Sequence, residues 1–183
     1  RRTLESGLNR LIISLDGFDP GSYAAYRKGG DFEKVTAGIR LLASEKRRSG
    51  KRTPEIILQC LVLKTNENHL DEIRKLGRSL GADRVEFKTA QFNDYRDGNP
   101  LMPETPRYSR YRKVSGFHHF TISPFHHFVL KNPLRNACFR MWSSCVITWD
   151  GKVVPCCYDK DATHVMGDLL QSTFKEIWRG EAY

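Results

Sequence analysis

Up to Phe92, the apolar positions alternate between short unbroken runs and helical stripes. Leu11-Ile12-Ile13-Ser14-Leu15 is an unbroken run ended by Asp16-Gly17, and it predicts a buried strand followed by a loop. Residues 55–63 and 84–88 predict two further strands. Asp31 is placed to cap a helix whose Phe32, Val35, Ile39 and Leu42 share one face, and which stops near Ser49-Gly50. Asn66 is placed to cap another, with Leu70, Ile73, Leu76 and Leu80 on one stripe and Gly81 as its stop. Continuous apolar strands separated by amphipathic helices predict right-handed βαβ units. The expected class is α/β, with a small parallel sheet covered by helices.

The pattern then changes twice. Residues 93–136 have no clean period and hold five of the eight prolines, so they read as a linker with short ordered pieces. From Ala137 the chain becomes compact again. Two β-rich runs, 146–149 and 152–154, flank Asp150-Gly151, a hairpin joined by a two-residue turn. Thr173 followed by Glu176 is a capping-box pattern opening a terminal helix with Phe174, Ile177 and Trp178.

Length and composition narrow the class. The 183 residues are 39% hydrophobic and 28% charged, an ordinary globular mixture, and no apolar run approaches the roughly 20 residues of a membrane span. The formal charge of +9 is uneven. Residues 137–183 hold five Lys or Arg against six Asp or Glu, so the first 136 residues carry a net +10. The start at Arg1, with neither Met nor a signal region, and the stop at Tyr183 lead to the expectation of an internal fragment.

Cysteine placement carries the chemistry. Four of the five, Cys138, Cys145, Cys156 and Cys157, fall within twenty residues, while Cys60 stands alone in an apolar run. Without secretory features, such clustering points to metal ligation in a reducing compartment more than to a disulfide scaffold. The hairpin folds the chain so that Cys138, before its first strand, approaches Cys156, after its second. Thiolates suit zinc or iron–sulfur clusters, and the closely spaced Cys pairs typical of zinc are missing. Adjacent Cys156 and Cys157 point to opposite faces of a strand, so one of them is the expected ligand. Four buried thiols used only for packing are the competing explanation.

These residues carry a resemblance. Cys138, twelve residues, Gly151, four residues and Cys156-Cys157, followed by Met166-Gly167-Asp168-Leu169 and a helix ending near Trp178, resemble the SPASM or "twitch" domain of radical S-adenosylmethionine enzymes. Ile13-Ser14-Leu15-Asp16-Gly17 with Tyr26-Arg27 resembles strand four and its loop in those enzymes' barrel, and residues 56–66 and 84–88 resemble strands five and six. The implied fold is half of a parallel (β/α)6 partial TIM barrel over residues 1–92, a linker over 93–136, and a truncated SPASM-like hairpin-and-helix domain over 137–183. Two departures stand out: the chain contains neither the Cys-x3-Cys-x2-Cys loop of the radical chemistry nor the downstream Cys-x2-Cys of the short auxiliary domain.

The resemblance implies the carboxyl-terminal portion of a cytoplasmic oxidoreductase that uses S-adenosylmethionine and [4Fe–4S] clusters for radical-based substrate modification. The substrate would be a peptide, a protein or a small molecule, and the electron donor a flavodoxin or ferredoxin. Cys138 and Cys156 match auxiliary-cluster ligands, Cys157 is a common companion, and Cys145 stands where the family has an apolar residue. Ser14 and Arg27 match positions that contact S-adenosylmethionine, and Arg27 is chemically suited to its carboxylate. Asp16 reads as a structural cap in the same loop. On this reading the segment alone is inactive, holds little or no stable cluster and, with an open strand edge, associates or aggregates.

A second class of function remains open on the sequence: a basic nucleic-acid-binding module with structural or zinc-bound cysteines, using Arg107-Tyr108-Ser109-Arg110-Tyr111-Arg112-Lys113. It ranks behind, because a charge run in a linker is more often just solvated. The pairs His118-His119 and His126-His127 sit among phenylalanines and read as half-buried packing more than as metal ligands.

Overall fold

The computed structural model describes residues 2–117, 124–132, 138–159 and 161–183, with the side chains of residues 117, 124–126 and 140 outside the description. The chain forms two compact units, Arg1–Asn132 and Pro133–Tyr183. The first opens with a short helix, α1 (Arg2–Glu5), then β1 (Arg10–Ser14), α2 (Pro20–Tyr26), α3 (Phe32–Arg48), β2 (Glu55–Val62), α4 (Leu70–Ser79) and β3 (Arg84–Thr89). The three strands form a parallel sheet in the order β1-β2-β3, with Ile13 level with Leu58 and Leu58 with Val85. α/β character with a parallel sheet is thus as expected.

The helices supply one face of the core. Tyr23 of α2, Phe32, Val35 and Ile39 of α3, and Leu70, Ile73 and Leu76 of α4 pack against Ile13, Leu15, Leu58, Cys60, Val62, Val85 and Phe87. Each fully buried Leu or Ile contributes about 1.5–3 kcal/mol. Strand alternation places Ile12 and Ser14 on the other face, where Ile12 is 53% exposed. β1 is therefore half-exposed, not the buried strand expected, because it pairs with a single neighbour and helices cover one side of it.

Capping decides the helix boundaries. Asp31 accepts the Lys34 N–H as foreseen. α2 carries a capping box in which Asp19 and Ser22 bond each other's backbone N–H, with Pro20 opening the helix. α4 departs from expectation: it starts at Leu70 behind His69, and Asn66 caps no helix. Asn66 is wholly buried and binds the end of β2 instead. The amino ends of the strands are tied by Asp83, whose Oδ2 accepts both the Lys46 ammonium of α3 at 2.5 Å and the Ile56 N–H at 2.6 Å.

Past β3, the segment read as a linker contains a 3-10 turn (Pro106–Tyr108) and an antiparallel hairpin of β4 (Tyr111–Phe117) and β5 (Pro124–Leu130). Its base is anchored in the first unit. The Tyr111 hydroxyl accepts the Phe92 N–H at 2.7 Å and donates to the Phe92 carbonyl at 3.2 Å, and the ring stacks on Tyr95. The Glu67 carboxylate, buried, accepts the N–H groups of Glu104 and Thr105 and holds that stretch of chain.

The second unit contains α5 (Arg140–Ser143), β6 (Val146–Ile147), β7 (Lys152–Val154), β8 (Gly167–Asp168) and α6 (Phe174–Trp178). The strands form an antiparallel sheet in the order β6-β7-β8. The hairpin forms as expected, but its loop has three residues, not two. Thr148 N–H bonds the Lys152 carbonyl, Gly151 N–H bonds the Thr148 carbonyl, and Gly151 supplies the left-handed φ of +88° that this loop requires. The Thr173–Glu176 capping box is present, and Val153, Val154 and Ile177 are buried. No helix among the described residues is long and apolar enough to cross a membrane.

Candidate functional site

The four clustered cysteines occupy three positions around the second unit's sheet. Cys138 lies exposed just before α5, Cys145 half-buried just before β6, and Cys156 and Cys157 in the turn after β7. Val146 pairs with Val154, so the register brings Cys145 level with Pro155, one residue from Cys156. The turn is fixed by Asp159. Its N–H bonds the Cys156 carbonyl at 3.2 Å, and its carboxylate accepts the N–H groups of Thr163 and His164 and the Thr163 hydroxyl. The Thr163 hydroxyl, with the two N–H groups, outweighs desolvation and holds the Asp159 pKa below the ordinary carboxylate value.

The donors have the right chemistry for iron–sulfur, since thiolates are the cluster ligands. They do not close a site: among the described residues no three His, Cys, Asp or Glu side chains gather closely enough to hold a metal ion. Cys145 has Tyr183 as a neighbour. The Tyr183 hydroxyl is buried beside its sulfur, with no well-formed hydrogen bond among the described residues, and burial first, then Cys145, raises the phenol pKa.

In the first unit, Ser14 and Arg27 stand at the carboxyl end of the sheet, where sites in parallel sheets are built. Ser14 is exposed on the face away from the helices, level with Gln59. Arg27 follows α2 and returns over the β1 end, its Nε donating to Asp16 Oδ2 at 2.7 Å. Asp16, buried, is the residue whose importance the sequence understated: it also accepts the Leu61 N–H and so binds β1 to β2. Cys60 is a different kind of cysteine. Burial first, then the charge of Asp16, pushes its thiol up to about 12, so it is an inert core group.

The aromatic members of the basic aromatic run are engaged internally. Tyr111 is buried in the contacts already described and Tyr108 packs against the core, so neither ring is free to stack on a base. Arg110 bonds Gln91. Arg107, Arg112 and Lys113 of the run are exposed. His118 and His119 lie outside the described residues, as does the His126 side chain; His127 is half-buried on β5, level with Val114.

Comparison with known proteins agrees with the second unit's architecture. Residues 138–183 match the SPASM family, an iron–sulfur cluster-binding domain. A probable GTP 3',8-cyclase of Archaeoglobus fulgidus is 25% identical over 195 residues, an alignment covering 98% of this chain and 64% of the relative. A tungsten-containing aldehyde ferredoxin oxidoreductase cofactor-modifying protein of Pyrococcus furiosus is 26% identical over 200 residues, covering 98% and 54%. The chain therefore spans less than two thirds of the length of these curated relatives. No solved structure matches it. The similarity to the iron–sulfur cluster-binding SPASM domain covers residues 138–183, and the similarity to the two relatives runs over nearly the whole chain.

Proposed function

We propose that this chain is the carboxyl-terminal portion of a cytoplasmic radical S-adenosylmethionine oxidoreductase. The observation that carries the reading is the SPASM match over residues 138–183, the stretch that holds Cys138, Cys145, Cys156 and Cys157. The three parallel strands are the second half of a partial (β/α)6 barrel, with the outer edge of β1 open to earlier strands. S-adenosylmethionine with a reduced [4Fe–4S] cluster supplies a hydrogen-abstracting 5'-deoxyadenosyl radical when bound. Ser14 and Arg27 hold the cofactor's polar end, Arg27 by pairing with its carboxylate. Cys138 and Cys156 ligate the auxiliary cluster, and Cys157 or Cys145 is a further ligand or a packed neighbour. The substrate is a peptide, protein or small molecule, the reductant a flavodoxin or ferredoxin, and the segment alone is inactive.

Anaerobic reconstitution of the full-length protein with iron and sulfide tests this reading. Cys138→Ala or Cys156→Ala should lower bound iron by about four per chain, the content of one [4Fe–4S] cluster. Unchanged iron in Cys145→Ala marks Cys145 as a packed neighbour, and lost iron marks it as a further ligand. Full iron retention in Cys156→Ala would show that the ligands are assigned wrongly.

A further inference from the structure

At the carboxyl ends of β1 and β2, three polar side chains form one network, and a single member keeps donors to spare. Asp16 is 1% exposed, and both carboxylate oxygens are used: Oδ1 accepts the Leu61 N–H at 2.7 Å and Oδ2 the Arg27 Nε–H at 2.7 Å. Asn66 is saturated as well. Its Oδ1 accepts the Leu63 N–H at 2.9 Å, while its Nδ2 donates to the carbonyls of Leu61 at 2.9 Å and Asp16 at 3.1 Å and contacts the Cys60 sulfur at 3.6 Å. Asp16 is thereby fixed from its own backbone, from β2 and from the β2–α4 connection. It cannot turn to follow a mobile partner.

Arg27 is the outward member. Its side chain is 39% exposed, Nε is committed to Asp16, and no hydrogen bond or ion pair among the described residues engages its two terminal nitrogens. A free arginine samples many rotamers and loses that freedom when it binds. Held through Nε by a rigid carboxylate, it presents the terminal pair as a preset fork, the geometry that pairs with both oxygens of a carboxylate. The fork stands at the strand ends where parallel sheets bind ligands.

We propose that Asp16 is the positioning residue for Arg27, fixing the guanidinium so that its terminal nitrogens receive the carboxylate of S-adenosylmethionine. This rests on the reading of Arg27 given under Proposed function. Asn66 serves the same device by locking the backbone on both sides of the Asp16 carboxylate. The competing explanation is that the ion pair only closes α2 onto the sheet. That role would stabilise the fold without distinguishing one ligand from another.

The test is equilibrium binding to the full-length, cluster-loaded protein under anaerobic conditions, with two probes: S-adenosylmethionine and its decarboxylated analogue. Asp16→Asn keeps an oxygen for the Leu61 N–H but turns an amide NH2 toward Arg27. It should weaken S-adenosylmethionine about tenfold, the scale of one charge-assisted hydrogen bond, and leave the analogue unchanged. Arg27→Gln should bring S-adenosylmethionine close to the analogue, and adding Asp16→Asn to it should change nothing further. Equal weakening of both probes by Asp16→Asn, or no weakening of either, overturns the proposal. Unchanged S-adenosylmethionine binding in Arg27→Gln instead overturns the carboxylate reading beneath it. Should Asp16→Asn fail to fold, Arg27→Lys decides, because lysine keeps the charge but cannot pair with Asp16 and present a fork at once. Its expected loss is again about tenfold and confined to S-adenosylmethionine, and wild-type affinity in Arg27→Lys overturns the proposal.

Discussion

Ile177 of α6 packs directly on Gly167 of β8: a β-carbon at Gly167 would lie 2.6 Å from Ile177 Cγ1 and 2.9 Å from Cγ2. The contact seats the terminal helix on the three-stranded sheet. Ile177 is buried, as are Val153 and Val154 of the same unit. Gly167→Ala should therefore destabilise the second unit by about 1–3 kcal/mol, the usual cost of overpacking. Adding Ile177→Val should return part of that loss. Urea unfolding followed by tryptophan fluorescence, whose three reporters Trp142, Trp149 and Trp178 all lie in this unit, measures both, and full additivity of the two changes would mean that the steric conflict is not the cause.

Asn66 offers a second test, in the first unit. Removing its amide in Asn66→Ala strands the Leu63 N–H and the Leu61 and Asp16 carbonyls in a buried site. A loss of about 2–4 kcal/mol is expected, since unsatisfied buried groups cost more than the bonds they once made. Chemical denaturation with an unchanged m-value is the check, and a loss below about 1 kcal/mol would show that water or backbone relaxation replaces the side chain.

These two sites show what a sequence reader can and cannot see. β2, β3 and α3 were legible because their apolar periods are long and Asp31 caps where caps usually occur. The start of α4 was not, because Asn66 spends its side chain on partners up to fifty residues away and no local pattern records that. The β4–β5 hairpin hides for another reason: β4 opens Tyr111-Arg112-Lys113, where Lys113 follows Tyr111 at the strand period, so no alternation of apolar and polar emerges. α2 had its signal in Asp19-Pro20 and Ser22, but seven residues are too few to establish a helical stripe. In the candidate sites, the spacing of Cys138, Gly151 and Cys156 singled out the residues that fall in the SPASM match. The Asp16–Arg27 pair is fixed by how α2 returns over β1, which spacing alone does not reveal.

Glu67 predicts the acid sensitivity of the first unit. Burial pushes its pKa up, but the N–H groups of Thr105 and Glu104, the Thr105 hydroxyl and the Lys64 charge outweigh burial, and the folded-state pKa lies below the ordinary 4.5. The unfolded chain then binds the proton first, so stability falls as the pH drops. This contribution is fully present well above pH 4.5 and is lost as the pH falls through the lower folded value. Asp83, held low against desolvation by Lys46 and the Ile56 N–H, acts in the same direction. Urea midpoints from pH 7 to pH 3 should drop in this range, and Glu67→Gln should flatten the drop while lowering the midpoint at pH 7. An identical pH slope in Glu67→Gln would remove Glu67 as a source.

Asp159 links the fold of the second unit to the cysteines it carries. Its carboxylate gathers the N–H groups of Thr163 and His164 and the Thr163 hydroxyl, and its own N–H closes the turn on the Cys156 carbonyl. Asp159→Ala leaves the backbone closure but frees the three donors, so the turn bearing Cys156 and Cys157 should loosen while the sheet persists. In the reconstituted full-length protein the expected result is faster loss of iron to a chelator, with the far-UV circular dichroism unchanged. Asp159→Asn should fall between, because it keeps one acceptor and loses the charge that strengthens the bonds. The cysteines themselves remain intact in both variants, so faster loss of iron would come from the loosened turn and not from missing ligands. Wild-type iron release from Asp159→Ala would show that the cluster-binding geometry is set by the β6–β7 hairpin alone.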